Sequence, residues 1–510
     1  MSINAFPFNS DEAIVGLMAK HILDGENFIY FYGQSYMGSL DAYLVALGFL
    51  LFGEKIWVIR LIQVILYGLV IIFSYLFVDI SFQNKKIAFV SSIFLVFPAV
   101  NVVLYTTVSL GGYGEALLLG VISFYIAAFI SKDCENQKSI NSVHIGILGF
   151  LLGIGLYANP ISLTMTIPAI LFVTWKIMKS GKSKKKIFTT FIVLLIFFLF
   201  GSALFWYSLL LTNGSSVIRE ISGSAVAIES ESYLQKTISH TISLILFGPT
   251  VILGLRPPWD VNLIGKIFIP FVIFYWLLAV YLFFKIRNYK FEEVQLFVAL
   301  FGVIIFVAGG FVFTSFGIDP SGRYFLPIVF PLCVFFGYAS IKLKNKLIYA
   351  LGILTLVFQI YGTWRSGNEE PYITTQFYSP AQVNHSRIDE LQQFLIDKEE
   401  YYGFSNYWIS YPLAFVSDEK IISIPKLPYH LDLRYTERDN RISKYNTIIE
   451  NGISYFYITS NNPELDDLLV TAFQENHIDY LYKQIDDYHI FYNLSKKITP
   501  EELGITNEFN

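Results

Sequence analysis

The sequence predicts an α-helical polytopic membrane protein with a small α/β domain at its C-terminus. Of the 510 residues, 54% are hydrophobic and only 15% are charged, whereas a soluble domain usually carries about 25% charge. Residues 365–510 contain 12 basic and 23 acidic side chains, a net −11, while the first 364 residues contain 24 and 17, a net +7. This composition excludes a soluble enzyme, a nucleic-acid-binding protein and a disordered chain, and it indicates that the two parts face different solvents.

The membrane part is predicted to cross the bilayer about ten times, because a span needs about 20 mostly apolar residues. The apolar segments are 56–78, 86–104, 113–131, 143–157, 160–178, 187–211, 264–284, 292–314, 324–341 and 346–362. Two shorter segments, 40–52 and 241–255, fit interfacial or re-entrant helices better than full spans. The predicted domains are therefore a membrane domain, 1–363, and a C-terminal domain, 364–510.

Lysine and arginine predict the orientation of these spans in a plasma membrane. One set of short loops contains 16 cations, from Lys85 to Lys346, while the other side has eight over much longer segments. The lysine-rich side should be cytoplasmic, provided that 241–255 does not cross. Residues 1–55 and the C-terminal domain then share the outer face. The chain would begin outside with no span ahead of it, so we expect an upstream start codon and a first span, in preference to translocation of the short N-terminal segment alone.

The C-terminal domain shows helical and strand patterns in alternation, which is typical of an α/β fold. Residues 388–400 and 464–477 are predicted helices, and five apolar or aromatic runs are predicted strands. These runs are 401–404, 414–416, 421–424, 453–459 and 488–492. We find no phosphate loop or nucleophile motif in this domain.

The segment Asn9–Glu12 is the densest polar group of the membrane domain, and it precedes a helical pattern. Ser10 or Asp11 is expected to cap that helix. One interpretation is a cap with two solvated carboxylates, Asp11 and Glu12. The other is functional, because carboxylates beside a bilayer are disfavoured without a role and a helix N-terminus favours nearby negative charge. An ionised Asp11 is a competent general base for a hydroxyl.

Three further outer segments contain candidate side chains. The aromatic stretch 31–40 offers Tyr32, Gln34 and Tyr36, which fit either an interfacial aromatic belt or stacking against a sugar. The glycine-rich stretch 106–115 ends in Tyr113 and Glu115, where Glu115 is either a helix-start acid or a second functional carboxylate. Two outer loops place an arginine beside an aromatic residue, either for lipid headgroups or for a specific phosphate; the candidates are Arg256, Arg323 and Tyr324.

Metal and disulfide chemistry is not indicated. The two cysteines, Cys134 and Cys333, lie far apart, and the seven histidines form no HExxH or HxxxH pair. We therefore predict no metal site and no cofactor, with a divalent metal left open. The predicted spans carry no charged residue near a midplane, which disfavours a proton- or ion-coupled carrier.

In their order, these motifs resemble the polytopic GT-C glycosyltransferases, and most closely the protein O-mannosyltransferase and lipid A aminoarabinose transferase group. The resemblance covers about residues 1–362. It rests on Asp11-Glu12-Ala13, Tyr32-Gly33-Gln34, Leu51-Phe52-Gly53, Arg60-Leu61, Gly112-Tyr113-Gly114-Glu115 and Arg323-Tyr324-Phe325-Leu326-Pro327. The Trp-Trp-Asp signature of oligosaccharyltransferases is absent.

The resemblance implies transfer of a sugar from a polyprenyl-phosphate carrier to an acceptor on the outer side of the membrane. Asp11 would match the family's first-loop catalytic aspartate, Glu115 its second-loop acid, and Arg323 its arginine near the lipid phosphate. The chain departs from the family in two ways: the family's first span is absent, and Tyr36-Met37-Gly38-Ser39 replaces the Glu-Lys-Pro stretch of the aminoarabinose branch.

We expect an inverting glycosyltransferase in which Asp11 and Glu115 are catalytic. The expected substrate-binding residues are Glu12, Tyr32, Gln34, Tyr36, Tyr113, Arg256, Arg323 and Tyr324. The partners are a polyprenyl-phosphate sugar, membrane lipid and a glycan, lipid or protein acceptor, and no nucleic acid. Two alternatives stay open: a non-enzymatic transporter or flippase of lipid or glycan, and an inactive scaffold that anchors the C-terminal domain.

Overall fold

The computed structural model describes residues 5–211, 232–264, 266–285, 291–430, 433 and 435–505. Within these residues, the α-helices are numbered α1–α19 in chain order. They are Ser10–Leu23, Leu40–Phe52, Ile56–Phe82, Lys85–Val96, Val100–Tyr105, Tyr113–Glu135, Ser142–Ala158, Leu163–Lys179, Lys184–Gly201, Ala203–Leu211, Tyr233–Ile252, Ile269–Lys285, Phe291–Phe313, Val329–Leu343, Lys346–Ser366, Ile388–Asp397, Tyr407–Val416, Lys444–Glu450 and Pro463–Glu475. The strands β1–β7 are Tyr30–Phe31, Gln34–Gly38, Tyr402–Ser405, Ile422–Pro425, Phe456–Ser460, Leu481–Ile485 and Tyr488–Tyr492.

The membrane domain is helical, as predicted, but the count of ten spans is not confirmed. Six described helical segments are long and apolar enough to cross a bilayer, and the bent pair α9–α10 raises the number to seven. Segment 86–104 breaks into α4 and α5 around Pro98, a residue that has no amide hydrogen for the helix ladder. Segments 143–157 and 264–284 contain helices of only 17 residues, α7 and α12.

The segment 241–255, predicted to be interfacial, belongs to α11. Two residues of α11 contact the segment 312–322: His240 lies 3.2 Å from the Val312 carbonyl oxygen, and the side chain of Val251 packs against Gly322. That this segment does not cross the membrane stays a prediction. Residues 212–231 and 286–290, which carry three of the cations used for orientation, lie outside the described residues.

The N-terminal segment folds into α1, a short hairpin of β1 and β2, and α2. Asn9 caps α1, not Ser10 or Asp11 as expected: its side-chain oxygen accepts from the Asp11 amide at 2.8 Å, and Glu12 completes a capping box. The cap moves one residue upstream because Asn9 is itself a preferred cap residue and lies three positions before Glu12. Asp11 therefore lies in the first turn of the helix, and its carboxylate is free of the cap.

The C-terminal domain contains a five-stranded sheet of order β4-β3-β5-β7-β6. Strands β3, β4 and β5 are parallel, and β7 and β6 continue the sheet antiparallel. The predicted helices and four of the five predicted strands are present. The prediction of a strand at 414–416 is wrong, because these residues end α17, and a short apolar run cannot by itself distinguish a strand from a buried helix. Helix α18 and strand β6 were not predicted.

The described residues form two hydrophobic cores, and their division does not follow the predicted domain boundary. One core lies among the membrane helices α3–α15. The other combines α1, α2 and the hairpin with the C-terminal domain. Helix α1 packs closely on α17, since a Cβ atom at Gly16 would lie 2.5 Å from the ring of Phe415. This second core brings the N-terminus of α1 against the N-terminus of α17, 396 residues away.

Candidate active site

Asp11 lies where α1 meets the C-terminal domain. Its carboxylate Oδ1 accepts a hydrogen bond from the Tyr407 hydroxyl, and the hydroxyl of its neighbour Ser10 donates to the Tyr407 carbonyl at 2.7 Å. Asp11 is half-buried, while Ser10 and Glu12 on either side are buried. A helix turns about 100° per residue, so these neighbours point in different directions. Asp11, the predicted base, is thus the one carboxylate of the segment Asn9–Glu12 that retains access to solvent.

Glu12 is held inside the protein and does not face the surface that Asp11 faces. Its carboxylate accepts from Arg60 Nε at 2.8 Å and from Arg60 Nη2 at 2.9 Å, and its side chain is fully buried. Such a bidentate pair occupies both carboxylate oxygens. In this structure Glu12 links α1 to α3 through Arg60.

The hairpin places Tyr32 and Gln34 at the contact with the C-terminal domain. The Tyr32 hydroxyl lies 2.7 Å from His21 Nδ1. The Gln34 amide oxygen, oriented toward the guanidinium of Arg441, accepts from its two Nη atoms at 2.9 and 3.0 Å. Arg441 Nη1 also donates to the Gly33 carbonyl at 3.2 Å. Both side chains are therefore engaged by the protein, and Arg441, which binds Gln34, also stacks over the Tyr407 ring.

Three predicted tyrosines form an aromatic group on the same face. Tyr36 lies 5.6 Å from Phe316, Phe316 lies 5.0 Å from Tyr324, and Tyr324 lies 6.5 Å from Tyr113, between ring centroids. Arg323 stacks over Tyr324 at 5.2 Å. We call Tyr36, Tyr113, Phe316, Tyr324 and Arg323 the outer aromatic group, after the face on which the distribution of lysine and arginine predicts them. Aromatic faces and a guanidinium are suited to a sugar and a phosphate.

Arg323 has the features of an anion-binding side chain. It forms an ion pair with Asp319, and its side chain is 35% exposed. Its Nε has no hydrogen-bond partner among the described residues. A buried donor that lacks a partner is costly, so this group is suited to receive an acceptor atom from a ligand.

Arg256 is placed differently from Arg323, although both were predicted to bind substrate. It is 1% exposed, and its guanidinium donates to backbone carbonyls of its own loop and of the loop that carries Arg323. The acceptors are Pro257 and Asp260, both at 3.2 Å, and Pro320. Arg256 therefore links the two loops, and its own Nε, like that of Arg323, has no hydrogen-bond partner among the described residues.

Glu115 lies inside the membrane domain, away from Asp11. It is 2% exposed, and it contacts Asp41, which itself accepts from Gln63 at 2.9 Å and from Ser109 at 2.5 Å. Neither carboxyl oxygen of Glu115 has a hydrogen-bond partner among the described residues. Among the described residues, no hydrogen bond or ion pair joins Glu115 to Asp11. Asp41 was not among the predicted residues, and its position at the start of α2 was the available signal.

The C-terminal domain contributes three side chains to the site that were not predicted from the sequence. Tyr407 bonds Asp11, Arg441 lies with its guanidinium carbon 5.6 Å from the Tyr407 ring centroid, and Arg438 lies 6.0 Å from the ring centroid of Tyr36. Segment 438–441 thus contacts both the Asp11 pair and the outer aromatic group. No local pattern marks these residues, because their partners lie about 400 residues earlier in the chain.

A second set of contacts fastens the far end of α1 to the same domain. His21 Nε2 lies 2.8 Å from Glu419 Oε2, and the Tyr445 hydroxyl donates to Glu419 Oε1 at 2.7 Å. Burial alone would raise the pKa of Glu419, but these hydrogen bonds and the Lys444 charge lower it to about 2. The domain is thereby held at both ends of α1, which fixes Tyr407 over Asp11.

The assembled site contains a half-buried carboxylate, a half-buried arginine and several aromatic faces, and the C-terminal domain contacts Asp11 and Tyr36 among them. This set suits acid–base and phosphate chemistry without a nucleotide loop. Within the described ranges, no three His, Cys, Asp or Glu side chains group as metal ligands.

The chain is similar to known membrane glycosyltransferases in part of its sequence and in its fold. A family model described as dolichyl-phosphate-mannose-protein mannosyltransferase matches residues 39–206. No curated protein sequence matches the chain. The family match includes Tyr113 and Glu115 but not Asp11, Arg256 or Arg323, so the roles of those three rest on their geometry.

Solved structures extend the comparison to nearly the whole chain. ArnT from Cupriavidus metallidurans bound to undecaprenyl phosphate matches with a TM-score of 0.53 at 11% identity, over 94% of this chain and 93% of that one. Its apo form matches equally, over 94% and 92%. The Archaeoglobus fulgidus oligosaccharyltransferase in complex with Zn and sulfate has a TM-score of 0.49 at 12% identity, over 96% and 69%. At this identity, the ArnT likeness shows a shared fold.

Proposed function

We propose that this multi-pass membrane protein, which has the GT-C fold, transfers a sugar from a polyprenyl-phosphate carrier to an acceptor hydroxyl at the membrane surface. One observation carries the proposal: segment 438–441 contacts both Asp11's partner Tyr407 and the outer aromatic group that includes Arg323. A base and a phosphate-binding arginine thus border one region. The family named for mannosyl transfer and the undecaprenyl-phosphate complex of ArnT support a lipid-linked donor.

The proposed reaction is a single displacement at the anomeric carbon. The acceptor oxygen attacks that carbon and gives its proton to the Asp11 carboxylate. The bond from the carbon to the phosphate oxygen breaks, and its electron pair leaves with the polyprenyl phosphate. One displacement inverts the anomeric configuration, and the phosphate is a good leaving group, so the site needs no strong general acid.

Arg323 is proposed to bind the carrier phosphate. Arg323→Ala should weaken binding of undecaprenyl phosphate by about 10- to 100-fold, since a hydrogen bond to a charged group contributes about 1.5–3 kcal/mol. The measurement is titration of the detergent-solubilised full-length protein with undecaprenyl phosphate. The control is Arg365→Ala, because Arg365 is an exposed arginine paired with Glu369. If Arg323→Ala and the unmodified protein bind undecaprenyl phosphate with equal affinity, the phosphate binds at another site.

We propose that the site opens on the outer face, opposite the lysine-rich loops. Lys184→Cys should therefore resist an impermeant thiol reagent in intact cells, and His430→Cys should react with it. Lys184 is exposed and His430 is half-buried, whereas the native Cys134 and Cys333 are buried. Permeabilised cells give the control, in which both variants become accessible. If only Lys184→Cys is labelled in intact cells, the predicted orientation of the protein in the membrane is wrong.

The direct test of the reaction is mass spectrometry of surface glycans, lipids and proteins from cells with and without the gene. We expect the loss of one sugar from one class of acceptor, together with accumulation of the loaded carrier. Restoration by the unmodified gene, and not by its Asp11→Asn variant, would assign the transfer to this site. Restoration by the variant as well would favour a transporter or a scaffold.

A further inference from the structure

The contact between Tyr407 and Asp11 joins two helix N-termini from different parts of the chain. Asn9 caps α1, and Asn406 caps α17 by accepting from the Trp408 amide at 2.9 Å. Each cap satisfies its own helix. The hydrogen bond from the Tyr407 hydroxyl to Asp11 is therefore not needed to cap either helix, and its function must be sought in Asp11 itself.

Tyr407 is held rigidly and donates its hydrogen. It is 3% exposed, and its ring packs edge-on against Trp408 at 4.8 Å and Tyr411 at 5.3 Å. Burial, followed by the Asp11 charge, raises the pKa of Tyr407 well above its ordinary value. The phenol consequently stays protonated, and Asp11 is the acceptor of the bond.

Arg441 ties this pair to the hairpin turn. Its backbone amide donates to the Tyr411 hydroxyl at 2.6 Å, and that hydroxyl donates to the Asp439 carbonyl at 2.7 Å. Its guanidinium reaches the turn at Gly33, where φ is +68° and a Cβ atom would lie 2.6 Å from the Arg441 side chain. Only glycine permits this approach without strain. Segment 439–441, α17 and the hairpin are thus fixed to each other around Asp11.

We infer that the C-terminal domain completes the catalytic site: Tyr407 is a positioning residue that holds one oxygen of the Asp11 carboxylate and directs the other toward the acceptor hydroxyl. Arg441 is a second positioning residue, which keeps Tyr407 and the hairpin turn in register. This inference rests on the proposed function. A base held by a third group is a recurring arrangement in catalysis, since misplacement of a reacting group by about 1 Å costs up to about 10²-fold in rate.

The first test is Tyr407→Phe in the full-length protein. Envelope extract from cells lacking the gene supplies both the acceptor and the loaded carrier, and the initial rate of sugar transfer is measured. We expect the rate to fall by about 10- to 100-fold, while the affinity for undecaprenyl phosphate does not change. The matched control is Tyr457→Phe, which removes a buried phenol hydrogen bond of 2.7 Å to the Ile498 carbonyl inside the same domain. It should leave the rate unchanged.

The second test separates positioning from structural support. If Tyr407 acts through Asp11, then Tyr407→Phe should have little further effect in the Asp11→Glu background, where the carboxylate is already displaced. Independent effects would multiply. If Tyr407→Phe does not fold, Arg441→Lys replaces it, because lysine keeps the charge but cannot reproduce the guanidinium fork. That variant should also slow transfer and spare carrier binding.

The outcomes distinguish this inference from the proposed function. Transfer by Asp11→Asn at the normal rate overturns the proposed base, and this inference with it. An inactive Asp11→Asn beside a Tyr407→Phe rate within twofold of normal overturns only the role of Tyr407. A multiplicative double variant likewise overturns the role of Tyr407, and an Arg441→Lys rate equal to normal overturns the role of Arg441.

Discussion

Asp11→Asn is expected to lower the rate of sugar transfer by about 10²–10⁴-fold, the contribution typical of a positioned general base. Asparagine has the shape of aspartate and still accepts a hydrogen bond from the Tyr407 hydroxyl, so the contact with α17 survives. It does not accept the acceptor's proton. The rate is measured with envelope extract from cells lacking the gene, and carrier binding with undecaprenyl phosphate.

The control for this substitution is Asp24→Asn, because Asp24 is an exposed aspartate at the other end of α1. It should transfer sugar at the normal rate. Folding is followed by the elution profile in detergent, which should be the same for both variants. A normal rate for Asp11→Asn would remove Asp11 from the chemistry, whatever the state of the lipid site.

Glu12→Gln is expected to have the largest effect on stability, although it differs from the first substitution by one position. Removal of one partner from a buried ion pair usually costs about 3–5 kcal/mol, because the other charge stays buried without compensation. Here that charge is Arg60, which binds both oxygens of a fully buried Glu12. The thermal unfolding midpoint in detergent should fall, together with the yield of monodisperse protein.

Two further variants test the origin of this loss. Glu54→Gln breaks a contact of 3.5 Å to Lys20 in which Glu54 is 43% exposed, and exposed pairs contribute about 0–1 kcal/mol. It should unfold at nearly the normal temperature. The double variant Glu12→Met with Arg60→Met removes both charges and should recover part of the lost stability. A Glu12→Gln midpoint equal to that of Glu54→Gln would contradict a structural role for the buried pair.

Asp11 and Glu12 show how much of the site could be predicted from the sequence. The segment Asn9–Glu12 was identified, and its helix was predicted, from composition and apolar period. The assignment of Glu12 to substrate binding follows from adjacency alone, and adjacency on a helix separates side chains by about 100°. Asp11 and Glu12 therefore face different partners: Tyr407 on the C-terminal domain and Arg60 on α3.

Arg256 and Arg323 also show that the sequence does not predict which side chain is buried. Arg256 and Arg323 are alike in sequence, since each lies in a predicted outer loop with a proline and an aromatic residue within three positions. In the structure Arg256 is enclosed by backbone carbonyls, whereas Arg323 is 35% exposed. Burial of this kind depends on how two loops fold against each other, and no local pattern records it.

The sequence alone determined that the chain is a membrane protein of many helices with a separate α/β domain, because apolar length and period are local properties of the chain. It also brought Asp11, Tyr36, Tyr113, Arg323 and Tyr324 into consideration. Only the tertiary structure decided which acid stays half-exposed, that Glu115 and Asp41 are both buried, and that Tyr407 and Arg441 reach Asp11. Those facts depend on packing between segments far apart in the sequence. Such contacts produce no recognisable pattern in the sequence of either segment.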